Sequence, residues 1–232
     1  MLKHVFFCLL FLIPSSTYAS GIAKFKGIDN GKPYTLSLEY LNRNTSRIDI
    51  DDNSDVDSYL LFNNNQGQVV TAYQGNTLVM DLDSMSQMAQ SLGVMSVLGI
   101  DSESLQIHVI SMEPTGKKEK VAGIEGEVYK LTWSRNKIKQ QDELVVSSDR
   151  RAWEYTEAWV DAIDAISKSS PSINIQGDEL LTRVSRDKIG VLRLGNRFRL
   201  ASVQSKPVSP ARFVAPGTSI TIPGLGDLLE GL

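Results

Sequence analysis

Tyr34-Thr35-Leu36-Ser37-Leu38-Glu39-Tyr40 places an apolar residue at every second position, with Thr, Ser and Glu between them. A side-chain period of two belongs to a strand, so residues 34, 36, 38 and 40 share a face that is buried while 35, 37 and 39 meet water. The pattern continues outward from there. Ile48 and Ile50 alternate with Arg47, Asp49 and Asp51, Tyr59-Leu60-Leu61-Phe62 is a short apolar run, and residues 69–73 and 78–82 flank the turn signal Gln74-Gly75-Asn76. Only a few Asn, Asp or Gly residues separate these runs, too few for the crossovers that parallel strands need, so the spacing predicts an antiparallel meander.

Helical periodicity interrupts the strands twice before the chain closes. After Asp83 or Ser84, the residues Met85, Met88, Leu92 and Met95 fall on one helical stripe that ends near Gly99. Strands resume at Leu105, Ile107 and Val109; Pro114-Thr115-Gly116 reads as a turn, and residues 117–122 lead through Gly123 into a strand carrying Tyr129, Leu131 and Trp133. A further strand is expected over 140–147. Asp149 then caps a helix whose stripe is Ala152, Tyr155, Trp159, Ala162, Ile163 and Ile166. A shorter helix follows Asp178, and strands over 191–194 and 198–203 close the domain. A twisted antiparallel sheet of this length curls. The expected fold is therefore mainly β (α+β): a curled antiparallel sheet or half-barrel with helices covering its concave face.

The ends of the chain read differently. Lys3, an apolar run over residues 5–13 and the small residues of Thr17-Tyr18-Ala19 before Ser20 have the form of a secretory signal peptide over 1–19. Its apolar run is shorter than the ~20 residues that span a bilayer, so no integral membrane segment is expected after cleavage. The only cysteine, Cys8, lies inside that run, so the processed chain has no disulfide, which favours the bacterial periplasm. Residues 20–205 form the β domain, and 206–232 lose periodicity to Pro and Gly and read as a C-terminal tail. A formal net charge of −3 over 232 residues offers no footprint for nucleic acid, and 41% hydrophobic residues describe a folded chain.

Several stretches resemble a known pattern: Val121-Ala122-Gly123-Ile124-Glu125-Gly126-Glu127-Val128-Tyr129, the Tyr59-Leu60-Leu61-Phe62 strand with Val79-Met80-Asp81 and the Met-containing helix, and the Arg151 to Trp159 helix after Ser147-Ser148-Asp149. They look like an uncharacterised family of bacterial envelope proteins, similar in layout to the LolA/LolB lipoprotein carriers. The resemblance covers roughly residues 20 to 205 and rests on hydrophobicity and glycine patterns. It implies an unclosed barrel plugged by helices around a lipid-accepting cavity, and a lipid or lipoprotein segment as ligand.

Catalytic and metal chemistry is thinly represented. After processing a single histidine remains, His108, with no Gly-x-Ser-x-Gly elbow or thiol beside it. Asp49, Asp51, Asn53, Asp55 and Asp57 alternate as the first half of a calcium loop does, but Ser54 stands at the turn glycine and Leu60 at the bidentate glutamate, so a solvated hairpin tip is expected. No catalytic residue, metal or cofactor is assigned. The expected role is noncatalytic binding in the concave face, with Leu36, Leu38 and Tyr40 on the sheet side and Met85, Met88, Met95, Tyr155 and Trp159 on the helix side. A methionine stripe suits adaptable apolar binding, yet any helix packed on a sheet needs such a stripe. The alternative is an interaction or envelope-stress regulatory module that meets an envelope protein partner through a basic surface at Arg193, Arg197 and Arg199, within a run of cations opposed locally only by Asp187.

Overall fold

The computed structural model describes residues 19–29, 32–51, 57–73, 76–84, 107–135, 138–169 and 179–217. The alternation at 34–40 becomes β2 (Lys32–Asn42), flanked by β1 (Gly21–Asp29) and β3 (Thr45–Asp51). The meander continues through β4 (Asp57–Asn63), β5 (Gln66–Tyr73) and β6 (Asn76–Asp81). After residues 82–106 come β7 (Ile107–Val121), β8 (Ile124–Arg135) and β9 (Ile138–Ser147), the helices α1 (Arg150–Ser169) and α2 (Glu179–Asp187), and then β10 (Gly190–Leu194) and β11 (Phe198–Ser205). All eleven strands of the described residues lie in one antiparallel sheet ordered β6-β5-β4-β3-β2-β1-β11-β10-β9-β8-β7, with β6 and β7 as unpaired edges. The sheet is open. The methionine stripe from Met85 lies outside the described residues; the chain is helical at 82–84, just before it.

One end of the sheet is strongly curled. In a flat sheet β7 would stand about 14 Å from β10 and about 19 Å from β11, at about 4.8 Å per strand. Instead, α-carbons of β7 and β11 come within 8 Å of one another, and the Glu119 carboxylate of β7 meets Arg193 of β10 at 2.7 Å and Arg199 of β11 at 2.9 Å. The cause is a correction to the sequence reading. Pro114-Thr115-Gly116 is no hairpin turn: Pro114 pairs with Tyr129 and Lys118 with Glu127, so three residues of β7 oppose Val128 alone. This bulge lets the second half of β7 bend across the sheet. Pro114 is tolerated because β7 is an edge. The hairpin turn falls at Ala122-Gly123, both at positive φ (48° and 83°), the type I′ geometry that matches strand twist.

Helix α1 starts as the sequence predicts. The Asp149 carboxylate accepts the Arg151 N–H at 2.9 Å, satisfying one of the free amides of the first turn. At 20 residues, α1 is about 30 Å long and touches β1, β2, β3, β5, β10 and β11 on one face of the sheet. Its seat differs from the predicted stripe. Ala152, Tyr155, Ala158, Ala162 and Ala165 are buried against the strands, whereas Trp159, Ile163 and Ile166 lie half-buried on the flank. Small residues let the backbones approach: Gly190 packs directly on Ala152. The Tyr155 hydroxyl donates to the Val191 carbonyl at 2.7 Å, and the Val191 N–H donates to Thr156 Oγ1 at 3.2 Å, which fixes α1 to β10. Phe25 stacks on Phe198 at 4.6 Å and meets Tyr155 edge-on at 5.3 Å. Each such ring pair adds about 0.5–1.5 kcal/mol beyond burial.

The opposite, convex face carries two smaller clusters. Leu131, Trp133, Leu144 and Val146 pack with Leu180 of α2, and Leu61, Val70 and Val79 pack with Tyr59 and Ala215. Ala215 belongs to the tail. Residues 206–217 run back over this face through a 3-10 turn, Pro210–Phe213, that contacts β3 and β4. Val208 and Phe213 are buried, and Arg212 forms a two-pronged ion pair with Glu39, both contacts at 2.9 Å. The first part of the tail is thus a strap on the sheet.

Candidate functional site

Register places seven residues in one cross-strand row on the α1 side of the sheet. Val203 pairs with Ala23, Ala23 with Leu38, Leu38 with Ile48, Ile48 with Leu60, Leu60 with Val69 and Val69 with Met80. All seven are apolar. Burial varies along the row: Ala23 and Leu38 are fully buried under α1, Ile48 nearly so, and Leu60, Val69 and Met80 are only half-buried. Beside them Leu78, paired with Thr71, is 37% exposed. Trp159 and Ile166 on the flank of α1, with Tyr34 and Phe198 on β2 and β11, pack partly against the same core. The concave face thus offers a partly open apolar wall from β4 to β6.

Of the predicted ligand-binding residues, Leu36, Leu38, Tyr40, Tyr155 and Trp159 are brought into one cluster. Met85, Met88 and Met95 lie outside the described residues. Leu36, Leu38 and Tyr40 are buried in the floor on which α1 seats, Tyr155 is buried on the helix side, and Trp159 stands at the margin, its ring centroid 6.4 Å from that of Phe25. The more accessible residues of the wall, Leu60, Val69, Leu78 and Met80, are not among the predicted ones. Tyr59-Leu60-Leu61-Phe62 is apolar on both faces, so only strand register shows that Leu60 joins the concave face and Leu61 the convex one.

Burial pushes both tyrosine hydroxyls above the ordinary tyrosine range, with the Glu154 charge adding to the effect at Tyr40. Neither is an acid or base near neutral pH. His108 is exposed on edge strand β7, opposite Ser134. Among the described residues no group of three or more His, Cys, Asp or Glu is arranged to hold a metal ion; positions 52–56 of the acidic hairpin lie outside them. No helix of the described residues is long and apolar enough to cross a membrane.

The basic run is not opposed by Asp187 alone. Arg193, with a side chain only 12% exposed, contacts Glu119 and Glu143, each at 2.7 Å. Arg199 reaches the other oxygen of Glu119. Arg197 lies over the Trp133 ring at 4.5 Å, donates to Gln140 Oε1 at 2.9 Å and stands 3.7 Å from Asp142. Hydrogen bonding from Arg193 comes first among the causes that hold the Glu119 carboxyl below its usual range. Each arginine of the predicted partner surface thus has an acidic counterpart. The carboxylates come from β7 and β9, 50 to 80 residues distant in sequence, which local charge counting misses.

Two grooves elsewhere have mixed polar and apolar linings. One of about 270 Å³ on the convex face is lined by Lys24, Ser37, Glu39, Ser202 and Gln204 among others; another of about 370 Å³ lies beside Lys118, Glu125 and Glu127. Comparison with protein-family models, with curated proteins and with solved structures found no match to this chain.

Proposed function

We propose that this chain is an exported, noncatalytic binding protein of the bacterial periplasm whose concave face takes an apolar or lipid-like ligand or a lipoprotein segment. The observation that carries the reading is the seven-residue apolar row, buried under α1 at its centre and half-exposed at Leu60, Val69 and Met80. An apolar side chain left partly in water on a concave surface gains free energy when a ligand covers it, about 25 cal/mol per Å² of area removed. Seating α1 on alanines adds to the case, because it keeps Trp159, Ile163 and Ile166 on the flank. The open antiparallel sheet with a helix across it is also the layout expected from the likeness to lipoprotein carriers. The alternative reading, a basic surface for a protein partner, is weaker because Arg193, Arg197 and Arg199 are each paired with acids.

The test is native mass spectrometry, with organic extraction, of protein purified from a detergent-free periplasm, followed by titration with a fluorescent fatty acid. A copurifying lipid and saturable uptake are expected. Val69→Asp and Trp159→Asp should each weaken uptake at least tenfold, while Arg197→Glu with Arg199→Glu leaves it unchanged. A clean apo mass with no uptake would overturn the proposal.

A further inference from the structure

Glu154 is an unusual residue to find under a sheet. It lies in the second turn of α1 with its side chain 1% exposed, and Arg150, itself 58% exposed, holds it at 2.7 Å. The carboxylate points to the start of β1: the Ala19 N–H donates to Glu154 Oε1 at 3.4 Å. Ser20, the next residue, is fixed on its other side. Its hydroxyl donates to the Lys206 carbonyl and its carbonyl accepts the Lys206 N–H, both at 3.1 Å. Directly after it, Gly21 opens β1 with its α-carbon against the Tyr40 ring and hydroxyl, where a Cβ would meet the hydroxyl at 2.5 Å. Ser20 is therefore held within one peptide unit of a buried acid.

We infer that Glu154 is the receptor for the α-ammonium group of Ser20 once the chain is cleaved between Ala19 and Ser20. The inference rests on the export reading. Hydrolysis of that bond adds one water, leaving the carboxylate on Ala19, which departs with the leader, and a positively charged amine on Ser20. An amide that reaches the carboxylate at 3.4 Å is thereby replaced by an ammonium, so that both partners of the contact carry charge. Opposite charges attract more strongly out of water than in it, and that attraction must offset the cost of desolvating the ammonium. β1 is the central strand of the described sheet, five strands on either side, and α1 spans its concave face. Joining the start of β1 to α1 therefore ties the helix to the middle of the sheet, and does so only in the processed chain. The Arg150 guanidinium bonds the same carboxylate, and the Tyr40 hydroxyl, pushed up by burial first and by the Glu154 charge second, keeps its proton near neutral pH.

The test is a double-mutant cycle on chains whose first residue is verified by mass. The chain starting at Ser20 is released from a fusion by a specific protease, so it is obtained whether or not export cleaves there. It is compared with a chain retaining Ala19, each with Glu154 and with Glu154→Gln. Ala19 should lower the melting midpoint by several degrees when Glu154 is present and by nothing in Glu154→Gln. As a second readout, the Ser20 amine should titrate above the ordinary α-amino range of about 7.7–8.0 and return to it in Glu154→Gln. Equal midpoints with and without Ala19, together with an ordinary amine titration, would overturn the inference. A periplasmic chain with a different first residue would overturn the export reading at this site even if the cycle shows coupling.

Discussion

At the scale of single residues, the decisive contacts are those where backbone meets backbone. Gly190 begins β10 under the first turn of α1, and a Cβ there would overlap the carbonyl carbon and oxygen of Ala152. Backbone cannot step aside as a side chain can. Gly190→Ala should therefore cost about 3 kcal/mol, the upper part of the overpacking range, read as a fall in the urea midpoint. Gly116 provides the contrast. It sits in the β7 bulge at φ +74° with nothing within 4 Å of a Cβ, so Gly116→Ala carries only the left-handed backbone penalty of about 1–2 kcal/mol. If Gly116→Ala proves the more damaging of the two, the close seat of α1 on β10 is not what holds that end of the helix.

At the scale of elements, the bent strand β7 and its tie to β10 and β11 govern how the curl responds to pH. Glu119 has a lowered folded-state pKa, so the unfolded chain binds its proton first as the solution is acidified. Its contribution is complete above the ordinary glutamate value of about 4.3 and is lost as pH falls through the folded value. Desolvation of Asp161 and Glu157 on α1 acts with the opposite sign, since their raised values make the buried charge a cost that protonation relieves. Urea midpoints of the parent chain from pH 7 to pH 3 should fall more steeply below pH ~4.5 than those of Glu119→Gln, which should also be less stable at pH 7. Parallel curves would mean that the Glu119 tie adds nothing to the curl. Much of this element layout was legible in sequence, because β2 to β6, α1 and the Asp149 cap follow from periodicity and capping chemistry that act within a few residues. β1 was not read as a strand: Ala23 and Gly27 on its buried face are too small to signal, and Lys24 and Lys26 occupy the other. The bulge at Pro114-Thr115-Gly116 carries turn chemistry, and only pairing with β8 distinguishes a bend within a strand from a reversal of the chain.

At the scale of the whole molecule, the sheet keeps different arrangements on its two faces. The concave side joins strands from β1 to β11 and α1 into one core, and the accessible apolar residues lie where that core thins toward β6. Sequence showed that a concave apolar face had to exist, but the accessible part of it, Leu60, Val69 and Met80, is set by where α1 stops covering the row, a tertiary outcome. On the convex side α2 packs on one apolar cluster, and the other is covered by the strap over residues 206–217. Its anchors are Val208, Phe213 and the Arg212 to Glu39 pair, and fixing each backbone residue costs about 1–2 kcal/mol against about 1.5–3 kcal/mol for burying a large apolar side chain. Twelve residues with so few anchors are only marginally held, so the strap should open locally without unfolding the sheet. Phe213→Ala therefore should raise protease cleavage within 206–217 and binding of an apolar dye to the face bearing Val70 and Val79, while the global urea midpoint moves far less than for Phe25→Ala. Phe25 lies in the core shared by α1, β1 and β11, where such a truncation costs about 3–5 kcal/mol. An equal loss from the two substitutions would make the strap an integral layer of the fold, and the convex face would then depend on the tail as the concave face depends on α1.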